Sequence, residues 1–135
     1  MFALMASMTT GIPEIDAEHS DLVSIINRIA EAERHRRAAD ALAALEHFHQ
    51  ELRSHFRREE AYFATVSFPD TAAHAQHHAA VLARLREIIT DFDAHTARPG
   101  GTATTCFDEL LRTVLLQDIQ VINWLADHGI RMEST

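Results

Sequence analysis

Residues 45–85 read LEHFHQELRSHFRREEAYFATVSFPDTAAHAQHHAAVLARL. Apolar side chains recur in this stretch at alternating three- and four-residue steps on both sides of Pro69. Such spacing is typical of amphipathic helices that face a common core, and a proline is favoured at or just before a helix start. The stretch therefore predicts two consecutive helices joined by a short turn at residues 66–70.

The same helical pattern continues on both sides of this pair. Only four Gly and three Pro occur in 135 residues, and they divide the chain into four apolar patterns, at about residues 16–37, 39–64, 71–94 and 104–131. No strand or hairpin pattern is present in the sequence. Four helices with short connections predict an all-α fold, an up-down-up-down antiparallel four-helix bundle that forms a single domain over residues 1–135.

Charge and composition exclude several classes of protein. The formal net charge is −8, from 12 Lys+Arg against 20 Asp+Glu, which argues against a protein that binds the phosphate backbone of nucleic acid. The strongest apolar run contains Gln117, Asp118, Gln120 and Asn123, so a membrane helix is not expected. A single cysteine, Cys106, cannot form an internal disulfide. A reducing compartment and a cytoplasmic location are therefore expected.

Each predicted helix carries a stripe that should face the bundle core. The stripes are Ile15, His19, Leu22, Ile26 and Ile29 in the first helix; Leu45, Phe48, Leu52, His55, Glu59 and Phe63 in the second; His74, His78, Val81, Leu85, Ile88 and Phe92 in the third; and Phe107, Leu110, Val114, Gln117, Val121, Trp124 and His128 in the fourth. Ionisable side chains interrupt these apolar stripes. They are His19 in the first helix, His55 and Glu59 in the second, His74 and His78 in the third, and His128 at the end of the fourth. Because the helices of such a bundle alternate in direction, all six fall at the same end. Residues four apart lie on one helix face about 6 Å apart along the axis, so each such pair can present two ligands to one cavity.

This clustering predicts a metal site, of two metals, because six buried ionisable groups without metal would leave charges or unpaired nitrogens. Imidazole and carboxylate ligands suit iron, zinc or manganese, and the absence of cysteine ligands argues against a thiolate site. A chance cluster of hydrogen-bonded core histidines is the alternative. The other five histidines lie off the stripes or at the wrong level and are predicted to be solvated: His35, His47, His49, His77 and His95.

These residues and their order resemble a known family, the hemerythrins, and specifically the bacterial hemerythrin-like domains. The matching segments are Ile15-Asp16-Ala17-Glu18-His19, His55-Phe56-Arg57-Arg58-Glu59-Glu60, Pro69 five residues before the His74/His78 pair, and Trp124-Leu125-Ala126-Asp127-His128. The resemblance runs from about residue 12 to residue 133. It implies that His74, His78 and His128 hold one iron, that His19 and His55 hold the other, and that Glu59 bridges the two.

The family has an aspartate as second bridging carboxylate five residues after the last histidine, where this chain has Glu133. Glu133 is therefore an expected seventh ligand, although glutamate carries an extra methylene and Gly129 and the chain end favour fraying of this turn. The resemblance further implies two Fe ions with a bridging oxo or hydroxo group, and dioxygen as ligand at an open iron position.

The expected function is that of a non-haem di-iron protein that binds dioxygen as an oxygen or redox sensor, carrier or store. Phe56, Phe63, Leu22 and Trp124 are candidates for the pocket wall, with plain core packing as the alternative for each. Two other interpretations stay open. One is a di-iron enzyme of peroxidase or nitric-oxide reductase type, and the other is a sensory module with a fused or separate signalling output domain as partner. Neither nucleic acid nor membrane is an expected partner.

Overall fold

The computed structural model describes residues 2–3, 13–92, 101–112 and 117–129. These residues form five helices and no strand: α1 (Pro13–Arg34), α2 (Ala38–Thr65), α3 (Thr71–Phe92), α4 (Gly101–Arg112) and α5 (Ile119–Asp127). The predicted all-helical fold is confirmed, and the first three helices lie where the sequence predicts them. The predicted fourth helix, residues 104–131, corresponds to α4 and α5, with residues 113–116 outside the described part. None of the described helices combines the length and apolarity needed to cross a bilayer.

The helices pack side by side as a helical bundle. Helix α1 contacts α2 and α4, and α3 contacts the same two helices. His19 near the start of α1 meets His55 near the end of α2, whereas Arg28 further along α1 meets His47 earlier in α2. These two helices therefore run in opposite directions. The same crossed pairing joins α2 and α3, so the start of α1, the end of α2 and the start of α3 lie together.

The apolar stripes of the first three helices form the core as the sequence predicts. The predicted stripe residues of α1 and α2 are all buried, and in α3 all are buried except the half-buried Phe92. Burial of one large apolar side chain stabilises a fold by about 1.5–3 kcal/mol. Because the stripes also carry the histidines, the packing that stabilises the bundle forces these polar groups inside.

The stripe of the fourth segment is confirmed only in part. Its predicted members Leu110 and Val121 are buried, whereas Phe107, Gln117 and Trp124 are only half-buried next to the buried Cys106, Asp118 and Leu125. Gln117 and Asp118 lie in a π-helical turn directly before α5. Within this π turn the buried residue is Asp118 and not Gln117, the residue that α-helical spacing places on the inner face.

A carboxylate on α1 fixes the start of α4. The side chain of Glu33 accepts hydrogen bonds from the backbone N–H groups of Thr102 and Ala103, at 3.1 and 3.0 Å. The first N–H groups of a helix have no partner within the helix, and a negative charge there is favourable. Glu33 therefore ties the start of α4 to the end of α1.

Candidate metal centre

Four imidazoles and two carboxylates meet inside one end of the bundle. They are His19 from α1, His55 and Glu59 from α2, His74 and His78 from α3, and Asp118 from the turn before α5. Each of the six is at most 4% exposed. The structure thus brings together five of the predicted ligands and adds Asp118, which is not among the predicted ligands.

Each carboxylate lies between imidazoles of two different helices. Glu59 Oε1 is 3.5 Å from His55 Nε2 and 3.4 Å from His78 Nε2. Asp118 Oδ2 is 3.4 Å from His19 Nε2, and its Oδ1 is 3.7 Å from His74 Nε2. Two groups of potential ligands result, one around His19 and His55 and the other around His74 and His78, with Glu59 in both.

Several of these buried atoms have no hydrogen-bond partner among the described residues. They are both side-chain oxygens of Glu59, both of Asp118, and the Nε2 atoms of His74 and His78. A buried polar atom without a partner is costly, so a protein rarely collects six of them at one place. Cations between the two groups would satisfy these atoms together. The donors are imidazole nitrogens and carboxylate oxygens, a set that fits iron, zinc or manganese.

The electrostatics of the centre favour a bound cation. Burial, together with the charge of Asp118, raises the pKa of Glu59 well above its usual range. Burial acts on Asp118 in the same sense, but the nearby imidazoles of His19 and His74, 3.4 and 3.7 Å away, outweigh it and hold the pKa of Asp118 below its usual range. Without a cation, the second of two adjacent buried carboxylates resists ionisation. A divalent ion removes this repulsion and allows both to be charged.

Two histidines have a carboxylate behind the ring. His55 Nδ1 lies 2.6 Å from Glu18 Oε2, and His78 Nδ1 lies 2.9 Å from Glu60 Oε2. The guanidinium of Arg58 donates to both oxygens of Glu18, at 2.9 and 2.8 Å. Although burial raises the pKa of Glu18, the hydrogen bonds from His55 and Arg58 lower it to about 2. Glu18 is therefore a carboxylate at neutral pH.

Aromatic rings surround the histidines of α3. The ring of Phe56 stacks on the ring of His78, with centroids 3.8 Å apart and planes at 1°. Phe63 meets His74 edge to face at 4.9 Å. Burial lowers the pKa of His78 to about 4, despite its hydrogen bond with Glu60, so this imidazole is neutral and its Nε2 can bind a metal. Phe56 and Phe63, both predicted wall residues, thus pack directly against the centre.

A small cavity connects the surface to the centre between α1 and α2. Its volume is about 140 Å³, and it reaches His55 and Glu59. Its other lining residues include Ile15, Tyr62 and Phe63, as well as Glu18 and Arg58. The cavity has room for a molecule of a few atoms, since one water occupies about 30 Å³ of liquid volume. The centre is therefore buried but accessible to small molecules.

His128, a predicted ligand, is not part of the observed cluster. His128 directly follows α5 and is exposed, its Nδ1 lies 2.8 Å from the carbonyl oxygen of Trp124, and its ring stacks on Trp124 with centroids 4.3 Å apart. Glu133 lies outside the described residues. The sequence does mark Asp118, because this charged residue interrupts an apolar run. Asp118 was not predicted as a ligand because it lies one residue away from the predicted stripe position, Gln117.

The remaining histidines do not join the cluster in the described part of the chain. His35 and His47 are exposed as predicted, whereas His49 and His77 are half-buried, and His95 lies outside the described residues. His49 Nδ1 lies 3.4 Å from Arg86 Nη2. Burial and the positive charge of Arg86 lower the pKa of His49. These histidines lie off the core stripes, and none of the four that the structure describes is fully buried.

The sequence was compared with known families and proteins. Residues 10–135 match the family model described as the hemerythrin HHE cation-binding domain. No curated protein matches the chain. The match covers nearly the whole sequence, and four of the five histidines that suggested the resemblance meet with Glu59 at one buried centre. The chain therefore belongs to the hemerythrin HHE cation-binding domain family.

Proposed function

We propose that the protein is a non-haem di-iron protein that binds dioxygen, as an oxygen or redox sensor, carrier or store. The observation that carries this proposal is the buried cluster in which two carboxylates each lie between two imidazoles, with their oxygens unpaired among the described residues. Carboxylates in this arrangement suit a pair of metal ions that they bridge. A single ion would leave one of the two histidine pairs without a metal.

The ligands divide into two sets. His19 and His55 would hold one iron and His74 and His78 the other, with Glu59 and Asp118 shared. Asp118 would bridge the two ions together with Glu59. Ligation by His128 and Glu133 stays a prediction, and the variants His128→Gln and Glu133→Ala test it.

The protein residues around the centre fit a small uncharged ligand. When bound, two iron ions supply the two electrons that reversible dioxygen binding needs. Phe56 and Phe63 pack against the histidines and keep bulk water from the inner side. The cavity at His55 and Glu59 is large enough for dioxygen. Its mouth carries Glu18 paired with Arg58, so neither charge attracts an ion strongly.

The donor set favours binding over cleavage of the O–O bond. Imidazole ligands donate less charge to iron than the glutamate-rich sets of di-iron oxygenases. An enzyme of peroxidase or nitric-oxide reductase type is the other use of such a centre. A sensory role would need a fused or separate signalling output domain as partner. We further propose that α4 and α5 together form the fourth member of an up-down-up-down bundle, and that the protein is cytoplasmic.

Metal analysis combined with an anaerobic-then-aerated absorption spectrum tests the proposed function. Protein from iron-replete medium is expected to contain about two iron ions per chain, because the structure offers two ligand groups. The reduced protein, exposed to air, is expected to give a transient oxygenated spectrum that decays to that of the oxidised form. The variant His74→Ala is the matched negative control for both measurements.

Three results would exclude or narrow this proposal. One zinc and no iron per chain would exclude the di-iron centre. Immediate oxidation in air with release of peroxide would favour an enzyme or redox sensor over an oxygen carrier. Rapid turnover of added peroxide in the presence of a reductant would point to a peroxidase.

A further inference from the structure

Each of the two ligand groups contains one histidine with a glutamate behind its ring. In the first group this is His55, which faces Glu18, and in the second it is His78, which faces Glu60. In contrast, Nδ1 of His19 has no hydrogen-bond partner among the described residues. In the first group, therefore, a hydrogen bond at Nδ1 fixes the ring of His55, whereas no described residue fixes the ring of His19 at that atom.

The hydrogen bond to the glutamate decides which ring nitrogen is free for a metal. An imidazole whose Nδ1–H donates to a carboxylate carries its lone pair on Nε2. The Nε2 atoms of His55 and His78 are the atoms that face Glu59, at 3.5 and 3.4 Å. Both glutamates thus select the tautomer in which the inward nitrogen can bind a cation.

Glu18 is itself fixed by an interhelical contact. The guanidinium of Arg58 donates hydrogen bonds to both carboxylate oxygens of Glu18. This contact joins α1 to α2 about one helical turn from His55. Two parallel N–H···O bonds define both the position and the plane of a carboxylate. The chain Arg58–Glu18–His55 therefore runs from the surface to the buried centre, along the wall of the cavity.

We propose that Glu18, held by Arg58, is a positioning residue that fixes the tautomer and the ring orientation of His55, and that Glu60 does the same for His78. The inference rests on the proposed metal centre, but its first consequence concerns the metal-free protein. Loss of Glu18 should leave the His55 ring free to exchange tautomers and to turn. The first ligand group should then lose affinity for iron, whereas the second, backed by Glu60, should keep it.

Three variants test this proposal. Glu18→Ala removes the acceptor, and Glu18→Gln keeps an oxygen acceptor without the charge. Glu46→Ala is the matched control, because Glu46 forms a similar exposed glutamate–arginine pair, with Arg86, between α2 and α3. Circular dichroism establishes that each variant is folded before it is used.

The first readout is long-range ¹H–¹⁵N NMR of the imidazoles in metal-free protein. His55 is expected to be the Nδ1–H tautomer in the wild type and Glu46→Ala, and a mixture of tautomers in Glu18→Ala. The second is anaerobic competition for Fe²⁺ against a chromogenic chelator. Loss of an outer-shell partner typically lowers metal affinity by roughly 10- to 100-fold, and this loss is expected at one of the two positions in Glu18→Ala. Glu18→Gln should lie between Glu18→Ala and the wild type.

The two proposals fail in different ways. If wild-type protein binds no Fe²⁺, the proposed function is wrong, while the NMR comparison still tests the role of Glu18. If wild type and Glu18→Ala show the same His55 tautomer, or the same Fe²⁺ affinity at both positions, Glu18 is not a positioning residue. An equal loss of affinity in Glu46→Ala would assign the effect to helix pairing and would overturn the proposal.

Discussion

Replacing Asp118 by asparagine separates the centre seen in the structure from the ligand set that the family resemblance implies. The change keeps the size of the side chain and removes its charge. Each oxygen of Asp118 faces a histidine of a different ligand group, His19 at 3.4 Å and His74 at 3.7 Å. Both metal positions should therefore weaken in Asp118→Asn.

The expected loss of metal affinity can be calculated from the part of the binding free energy that one ligand contributes. A structural Zn²⁺ site of four donors contributes about 10–16 kcal/mol, so one donor accounts for about 3–4 kcal/mol. At 1.4 kcal/mol per tenfold change, affinity should fall roughly 100- to 1,000-fold. A 100-fold loss lowers metal-linked stability by about 2.7 kcal/mol, equal to about 10 °C in melting temperature for a domain of this size.

The assay is Fe²⁺ competition under anaerobic conditions, together with thermal unfolding with and without Fe²⁺. Asp127→Asn is the control, since Asp127 lies on α5 and is exposed. His128→Gln and Glu133→Ala complete the comparison. Wild-type affinity in Asp118→Asn, with loss of iron in His128→Gln, would refute the assignment of Asp118 and support the ligand set implied by the resemblance.

Three further predictions concern the histidines, the core and the helix start. His74→Ala should lose metal and His35→Ala should retain it, as measured by metal analysis; loss in both would show that burial does not define the ligand set. Phe56→Ala should destabilise the metal-free protein by about 3–5 kcal/mol in urea unfolding, because the ring is 1% exposed and stacks on a ligand; a cost below 1 kcal/mol would contradict this packing. Glu33→Ala should cost about 1 kcal/mol through the lost contacts to the start of α4, against less than about 0.5 kcal/mol for Glu46→Ala; equal effects would refute the capping role.

Periodicity made much of the fold and part of the site predictable. In α1 and α2 the apolar stripe continues through the whole helix, so the stripe alone placed His19, His55 and Glu59 inside. His74 and His78 follow from the same rule in α3. Helix lengths and short connections were enough to predict that these residues lie at one end of the bundle. Their roles beyond burial came from the family resemblance, because periodicity does not distinguish a ligand from a core histidine.

The burial of residues in the fourth segment was predicted less well than that in the first three helices. Extrapolation at α-helical spacing selected Trp124 and His128, whereas the structure buries Asp118 and Leu125 and leaves His128 exposed. Val121 is buried as predicted, but in the π turn at residues 117–118 the buried residue is Asp118 instead of Gln117, and a sequence pattern does not show where a helix departs from α-helical hydrogen bonding. The partners behind the rings, such as Glu18 for His55, come from other helices and depend on how the helices are paired.

By itself, therefore, the sequence determined the helical class of the protein, the buried faces of its first three helices and five members of the polar cluster, because these depend on spacing within single helices. Only the tertiary structure decided that Asp118 joins the cluster and that Glu18 and Arg58 stand behind His55. These contacts join residues far apart in the chain, and they follow from helix register and from one local change of helical pitch, neither of which is encoded in the periodicity of a single segment.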